Sequence, residues 1–76
     1  MTPKAKAHEG FALLKLAIRE LLESEQEGLT NAEIAEQLDL RSSYGKGAKD
    51  YLTWAVLGEM LKEGTLVRRG RRYVTR

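Results

Sequence analysis

Gly28-Leu29-Thr30-Asn31-Ala32-Glu33-Ile34-Ala35 is the stretch that decides the fold of this chain. A threonine three residues ahead of a glutamate forms a capping box: the Thr30 hydroxyl accepts from the Glu33 backbone N–H, and the Glu33 carboxylate reaches back to the backbone N–H of Thr30. Leu29 and Ile34 stand at the flanking staple positions, and Gly28 stops whatever helix comes before. The pattern predicts a helix that starts at Asn31 and turns Ile34, Ala35 and Leu38 inward. That helix is short, because residues 39–47 hold two serines and two glycines.

Upstream of this stretch, Phe11, Leu14, Ile18, Leu21 and Leu22 recur at steps of three and four residues, which predicts an amphipathic helix from about Glu9 to Glu25. Residues 1–8 read as a flexible N-terminal arm and residues 9–76 as one domain. Leu13 and Leu16 fall outside the apolar stripe, on the side that carries Arg19, Glu20 and Glu23. Two readings fit that pair: a homodimer contact, or burial beneath the arm or a strand.

Downstream, a third helix is expected from Lys46 or Gly47 to Glu63. At 100° per residue, Trp54, Val56, Leu57, Met60 and Leu61 fall on one half, which is taken as inward. Ala48, Tyr51, Ala55, Gly58, Glu59 and Lys62 fall on the other. Gly64 suits a left-handed helix cap. Thr65-Leu66-Val67-Arg68-Arg69, Gly70 and Arg71-Arg72-Tyr73-Val74-Thr75 then form a hairpin whose tight turn takes its positive φ from Gly70. Leu66, Val67, Tyr73 and Val74 supply its apolar surface, so Tyr73, like Trp54, reads as core. The fold class is mainly α (α+β): three helices followed by a two-stranded hairpin.

Net charge is only +2, but it is unevenly divided. Up to Leu40, four Lys or Arg stand against eight Asp or Glu, a net of −4; from Arg41 onward nine stand against three, a net of +6. Such asymmetry favours a polyanionic partner. The four arginines around Gly70 carry guanidinium forks that match phosphate oxygens, and Lys46 and Lys49, at the expected start of the third helix, add to them. A hairpin edge kept soluble by charge is the plainer reading of the same arginines. Their coincidence with Arg41, Lys46 and Lys49 in one half of the chain favours phosphate contact. Tyr51 either stacks on a sugar or base or covers the long loop.

Several function classes are excluded. With no cysteine there is neither a disulfide framework nor a Cys-containing zinc site, and no apolar run approaches the ~18 residues that cross a bilayer, so the chain reads as soluble, unprocessed and cytoplasmic. A domain of 76 residues buries only roughly 60% of its unfolded surface and has modest stability. Gly45-Lys46-Gly47 lacks both the spacing and the Ser or Thr of a nucleotide-binding loop. His8 lies in the arm, and Glu20, Glu23, Glu25 and Glu27 form a hydrated helix end with no apolar pocket to raise a pKa. No catalytic, cofactor-binding or metal-ligating set emerges, so the chain is not expected to be an enzyme.

The order of these features, from Gly28-Leu29-Thr30-Asn31-Ala32-Glu33-Ile34-Ala35 to Gly64-Thr65-Leu66-Val67-Arg68-Arg69-Gly70-Arg71-Arg72-Tyr73, resembles the winged helix-turn-helix superfamily over nearly the whole chain from Phe11. In that family "Gly-Leu-Thr, two residues, Glu-Ile-Ala" opens the helix-turn-helix and a "Glu-Gly-Leu-Val-Arg-Arg-Gly-Arg-Arg-Tyr" type of segment forms the wing, matched here from Glu63 with Thr65 as an extra residue. Tyr44-Gly45-Lys46-Gly47-Ala48-Lys49-Asp50-Tyr51-Leu52, with Trp54-Ala55-Val56-Leu57-Gly58 after it, is similar to modules attached to some restriction endonucleases and phage proteins. The resemblance implies double-stranded DNA as partner, with the third helix in or near the major groove and the wing on the backbone or a neighbouring groove.

On that reading the DNA-binding residues are Ser43, Tyr44, Lys46, Lys49, Tyr51, Arg68, Arg69, Arg71 and Arg72, with Ser42 as a further donor. The role would be a small transcriptional regulator or the DNA-targeting module of a larger enzyme such as a restriction endonuclease. The alternative is a winged-helix adaptor for a larger protein partner, without direct DNA binding. Two departures bear on specificity. The segment between Leu38 and Gly47 exceeds the three or four residues of a standard helix-turn-helix turn. The outward side of the third helix also lacks the Arg, Asn or Gln best suited to bidentate base reading.

Overall fold

In order along the chain, the elements are α1 (Pro3–Glu23), β1 (Leu29–Thr30), α2 (Asn31–Gln37), β2 (Ser42–Ser43), β3 (Ala48–Lys49), α3 (Tyr51–Glu63), β4 (Leu66–Arg69) and β5 (Arg72–Thr75). They come from a computed structural model that describes the backbone of residues 1–43 and 48–76 and the side chains of residues 1–41 and 50–76. The described residues form a small α+β domain of three helices and a three-stranded antiparallel sheet ordered β1-β5-β4, with β2 and β3 paired separately. Among the described residues, no helix is long and apolar enough to cross a membrane.

The capping box closes as its residue types require. Glu33 N–H donates to the Thr30 hydroxyl at 3.2 Å and Thr30 N–H donates to the Glu33 carboxylate at 2.9 Å, so α2 starts at Asn31. Ile34 and Ala35 are fully buried and Leu38 packs half-buried against the core. Helix α2 ends at Gln37 with Leu38 as its C-cap, and the next residue, Asp39, has a φ of 55°, in the left-handed region that a short polar side chain tolerates.

Helix α1 begins well before the expected Glu9. Thr2 is its N-cap, accepting from Ala5 N–H at 3.1 Å, and Pro3 occupies the first turn, where its missing N–H is harmless. Residues 3–8, expected as an arm, are thus helical. They carry no apolar stripe because they are exposed all round, and periodicity has nothing to register there. Ile18 and Leu22 are the buried residues of this helix, with Phe11, Leu14 and Leu21 half-buried beside them. Leu13 and Leu16 are 59% and 50% exposed, and neither the N-terminal residues nor a strand covers them.

The expected two-stranded wing is one edge of a larger sheet. Strand β5 pairs with β4 through Leu66↔Thr75, Val67↔Val74, Arg68↔Tyr73 and Arg69↔Arg72, and its other side pairs with β1 through Leu29↔Tyr73 and Thr30↔Arg72. A two-residue strand leaves no alternation to read, so β1 was hidden within the helix start signal. Gly70, with φ 62°, makes the two-residue hairpin turn with Arg71. Gly64, with φ 80°, caps α3 in the left-handed region.

Gly28 links these parts. Its φ is 82°, and a Cβ there would stand 2.5 Å from the Tyr73 carbonyl oxygen and 2.6 Å from Val74 Cγ1. A side chain would therefore collide with β5 as well as strain the backbone. The Gly28 carbonyl accepts from Arg72 Nη1 at 2.9 Å, and the same guanidinium lies 3.6 Å from Glu33 Oε1. The core that results joins Ile18 and Leu22 of α1, Leu29, Ile34, Val56, Leu57 and Met60 of α3, and Leu66 and Tyr73 of the sheet.

Two measurements test this junction. Gly70→Ala, with open space around it, should cost about 1–2 kcal/mol in urea unfolding for the left-handed backbone alone, and Gly28→Ala should cost more because overlap with β5 adds to that strain. Glu33 is held below the ordinary carboxylate range by hydrogen bonds from the Thr30 backbone and side chain, with the Arg72 charge adding to them. A lowered folded-state pKa stabilises fully above the unfolded value and is lost as pH falls through the folded one. The unfolding midpoint should drop in that acidic window, and Glu33→Gln should remove this part of the drop.

Candidate nucleic-acid interface

Helix α3 carries two stripes with identical spacing. Thr53, Val56, Leu57 and Met60 stand at i, i+3, i+4 and i+7 and are buried; Tyr51, Trp54, Ala55 and Gly58 stand at the same intervals two residues earlier and are exposed. The expectation that Trp54 is core is therefore wrong. It is 63% exposed, and it sits roughly 110° around the helix from the centre of the buried stripe. Thr53 takes the central core position instead and satisfies its hydroxyl by donating to the Asp50 carbonyl at 3.1 Å. A threonine carries little apolar signal, so the sequence pattern turns Trp54 inward in its place. Tyr51 is 70% exposed.

Helix α3 starts at Tyr51, not at Lys46 or Gly47, because Ala48 and Lys49 pair as a strand with Ser43 and Ser42. Lys49 therefore lies on β3 and Ser43 on β2, and Lys49 is not at a helix N-terminus. Tyr44 and Lys46 lie outside the described residues. Two short polar segments flanking a four-residue stretch with two glycines were the available signal for this pairing. Asp50 precedes α3 without capping it through its side chain; its carboxylate instead accepts from Arg41 Nε at 3.0 Å.

The arginines of the β4–β5 hairpin divide between the two faces of the sheet. Arg68 is paired with Tyr73 and shares its face, which is the side turned to the helices; its guanidinium carbon lies 5.5 Å from the Tyr73 ring centroid and its Nε donates to the Gly70 carbonyl at 2.9 Å. Arg69 and Arg72 are paired with each other on the opposite face. Arg72 is occupied by Gly28 and Glu33, so the structure gives it a positioning role at the sheet junction. Arg71 sits at the hairpin tip. Among the described residues, Arg68, Arg69 and Arg71 have no carboxylate within ion-pair distance.

Arg68 and Arg71 meet Trp54 across an exposed groove of about 390 Å³, whose floor and far wall are Tyr73, Asp50 and the first turn of α2 from Thr30 to Ala32. Asn31 ties that turn to α3 by donating from Nδ2 to the Asp50 carbonyl at 3.4 Å, while its buried Oδ1 has no hydrogen-bond partner. The carboxylate in the groove, Asp50, is already compensated by Arg41. Of the residues expected to form one surface, the structure thus brings together Arg68 and Arg71, while Tyr51 stands exposed on α3 one turn before Trp54 and does not line the groove. It adds Trp54, Asn31 and Ala32, which sequence reading assigned elsewhere. The second α3 stripe was the signal for Trp54; Asn31 and Ala32 had none beyond their place after a helix cap.

The chain matches no family model, no curated protein and no solved structure.

Stability measurements separate surface from scaffold. Trp54→Ala and Arg71→Ala should leave the unfolding free energy within about 0.5 kcal/mol of wild type. Arg72→Ala should cost about 1 kcal/mol through its lost bond to Gly28, and Tyr73→Ala about 3–5 kcal/mol through its lost core volume.

Proposed function

We propose that this chain is a winged helix-turn-helix domain that binds double-stranded DNA without catalysing a reaction. In this reading α3 lies in or near the major groove and the β4–β5 wing meets the phosphates. One observation carries it: Trp54, on the exposed stripe of α3, shares a groove with Arg68 and Arg71, which have no carboxylate partner among the described residues. A helix of 13 residues whose outward side is mostly small or aromatic, with Lys62 toward its end and Glu59 at its border, has the dimensions of a major-groove element, and the two-residue turn at Gly70 makes a wing narrow enough to reach a backbone alongside it. Phosphate contacts position such a domain, and base-edge contacts supply what specificity it has. The role that follows is a small regulator of transcription or the DNA-targeting module of a larger enzyme such as a restriction endonuclease.

Exposed Leu52 and Trp54 favour a second reading, an adaptor that docks on another protein. The two readings separate on salt. Duplex DNA titrated at several salt concentrations should bind with log affinity falling linearly in log salt, at a slope near −0.9 for each phosphate held. Arg69→Ala with Arg71→Ala should make that slope shallower by about 0.9 for each arginine that held a phosphate. Absence of duplex binding at low salt would sink the DNA reading in favour of the adaptor.

A further inference from the structure

The stripe that α3 turns outward is chemically unusual for a surface beside arginines. Tyr51 and Trp54 are large and mostly exposed, Ala55 and Gly58 follow along the same line, and a Cβ added at Gly58 would meet nothing within 4 Å. None of these four offers the paired donors and acceptors that read guanine or adenine bidentately. What they offer is apolar area beside a helix backbone that Ala55 and Gly58 leave unobstructed. In the major groove one base feature matches such a surface, the 5-methyl group of a pyrimidine, which projects from the edge of the base pair and hydrates poorly.

We propose that α3 recognises duplex DNA by covering thymine 5-methyl groups with Trp54 and its neighbours Tyr51 and Ala55, while Arg68 and Arg71 hold the flanking backbone. This rests on the DNA-binding reading above and names what the same surface reads. Charge complementarity selects the occupant, because Arg68 and Arg71, without carboxylate partners among the described residues, share a groove with Trp54 at the border of the apolar stripe and call for a polyanion. The position of Trp54 is fixed from within. Thr53 and Val56, its neighbours in the buried stripe, are locked in the core, and the Asn31 bond to the Asp50 carbonyl holds the start of α3 against α2. The indole is therefore presented by a rigid element, which limits the entropy lost when it covers a methyl group.

The test uses short random-sequence duplexes made either with thymine or with uracil, which differ in the methyl group and keep the same charges and hydrogen-bonding edges. Fluorescence anisotropy should show weaker binding to the uracil duplexes, by about fourfold for each methyl covered, with parallel salt slopes. Trp54→Ala should abolish the thymine preference and keep the slope; Trp54→Phe, which retains apolar area but lacks the indole N–H, should keep most of the preference. Equal binding of the two duplexes by the wild-type protein overturns the proposal. So does a preference that survives in Trp54→Ala, since duplex shape would then be its source, or one lost in Trp54→Phe, since the N–H would then be the reader. Tighter binding to the separated single strands also overturns it, in favour of base stacking on Tyr51 and Trp54. Failure of every duplex to bind at low salt is a different result and removes the DNA-binding reading itself.

Discussion

The rest of the structure depends on a backbone contact at Gly28. There the chain leaves α1, adopts a left-handed conformation against Tyr73 and Val74, and delivers Leu29 and Thr30 into the sheet just before α2 begins. The side of Gly28 that lacks a Cβ admits β5, and its carbonyl accepts from Arg72. Two residues later the Thr30–Glu33 capping box starts α2, and Glu33 faces Arg72 again. One guanidinium thus bridges the end of the first loop and the first turn of the second helix from β5. The sheet and the helices are registered to each other by polar contacts at the perimeter, while the apolar core beneath supplies most of the stability.

This coupling matters for the groove. Its lining comes from α2, α3, β4, the hairpin tip and β5, which are distant in sequence. If β4 and β5 were an independent hairpin, Arg68 and Arg71 would have no fixed relation to Trp54. With β5 held centrally between β1 and β4, and Tyr73 buried under Arg68, the cations on the hairpin stand in a defined relation to Trp54. Preorganisation of this kind reduces the ordering that any partner must impose.

What was legible in the sequence was local. The capping box, the left-handed cap at Gly64 and the turn at Gly70 each depend on a few adjacent residues, and each forms as read. The features missed needed information that local pattern does not contain. Strand β1 is two residues long and exists only because β5 returns beside it. The first turns of α1 rest on Thr2 and Pro3 with no buried side to mark them. Helix α3 offered two stripes of equal period, and apolar area alone chose the wrong flank for Trp54, because a buried threonine that bonds to its own helix does not look like core. Trp54 reads as core for this structural reason, and a charge run does not say that one of its members, Arg72, is already engaged by Gly28 and Glu33.

The strand order β1-β5-β4 also bears on how the molecule avoids its own kind. A three-stranded sheet has two open edges. One, β1, is too short to template another strand, and the other, β4, ends in Arg68 and Arg69 with Arg71 at the adjoining tip. Edge-to-edge pairing of two copies through β4 would bring these cations together, so the edge is guarded by like-charge repulsion. The guard depends on the arginines remaining charged and uncovered, and a bound polyanion would neutralise it. Solubility at high concentration and occupancy of the basic surface are therefore linked through the same three side chains.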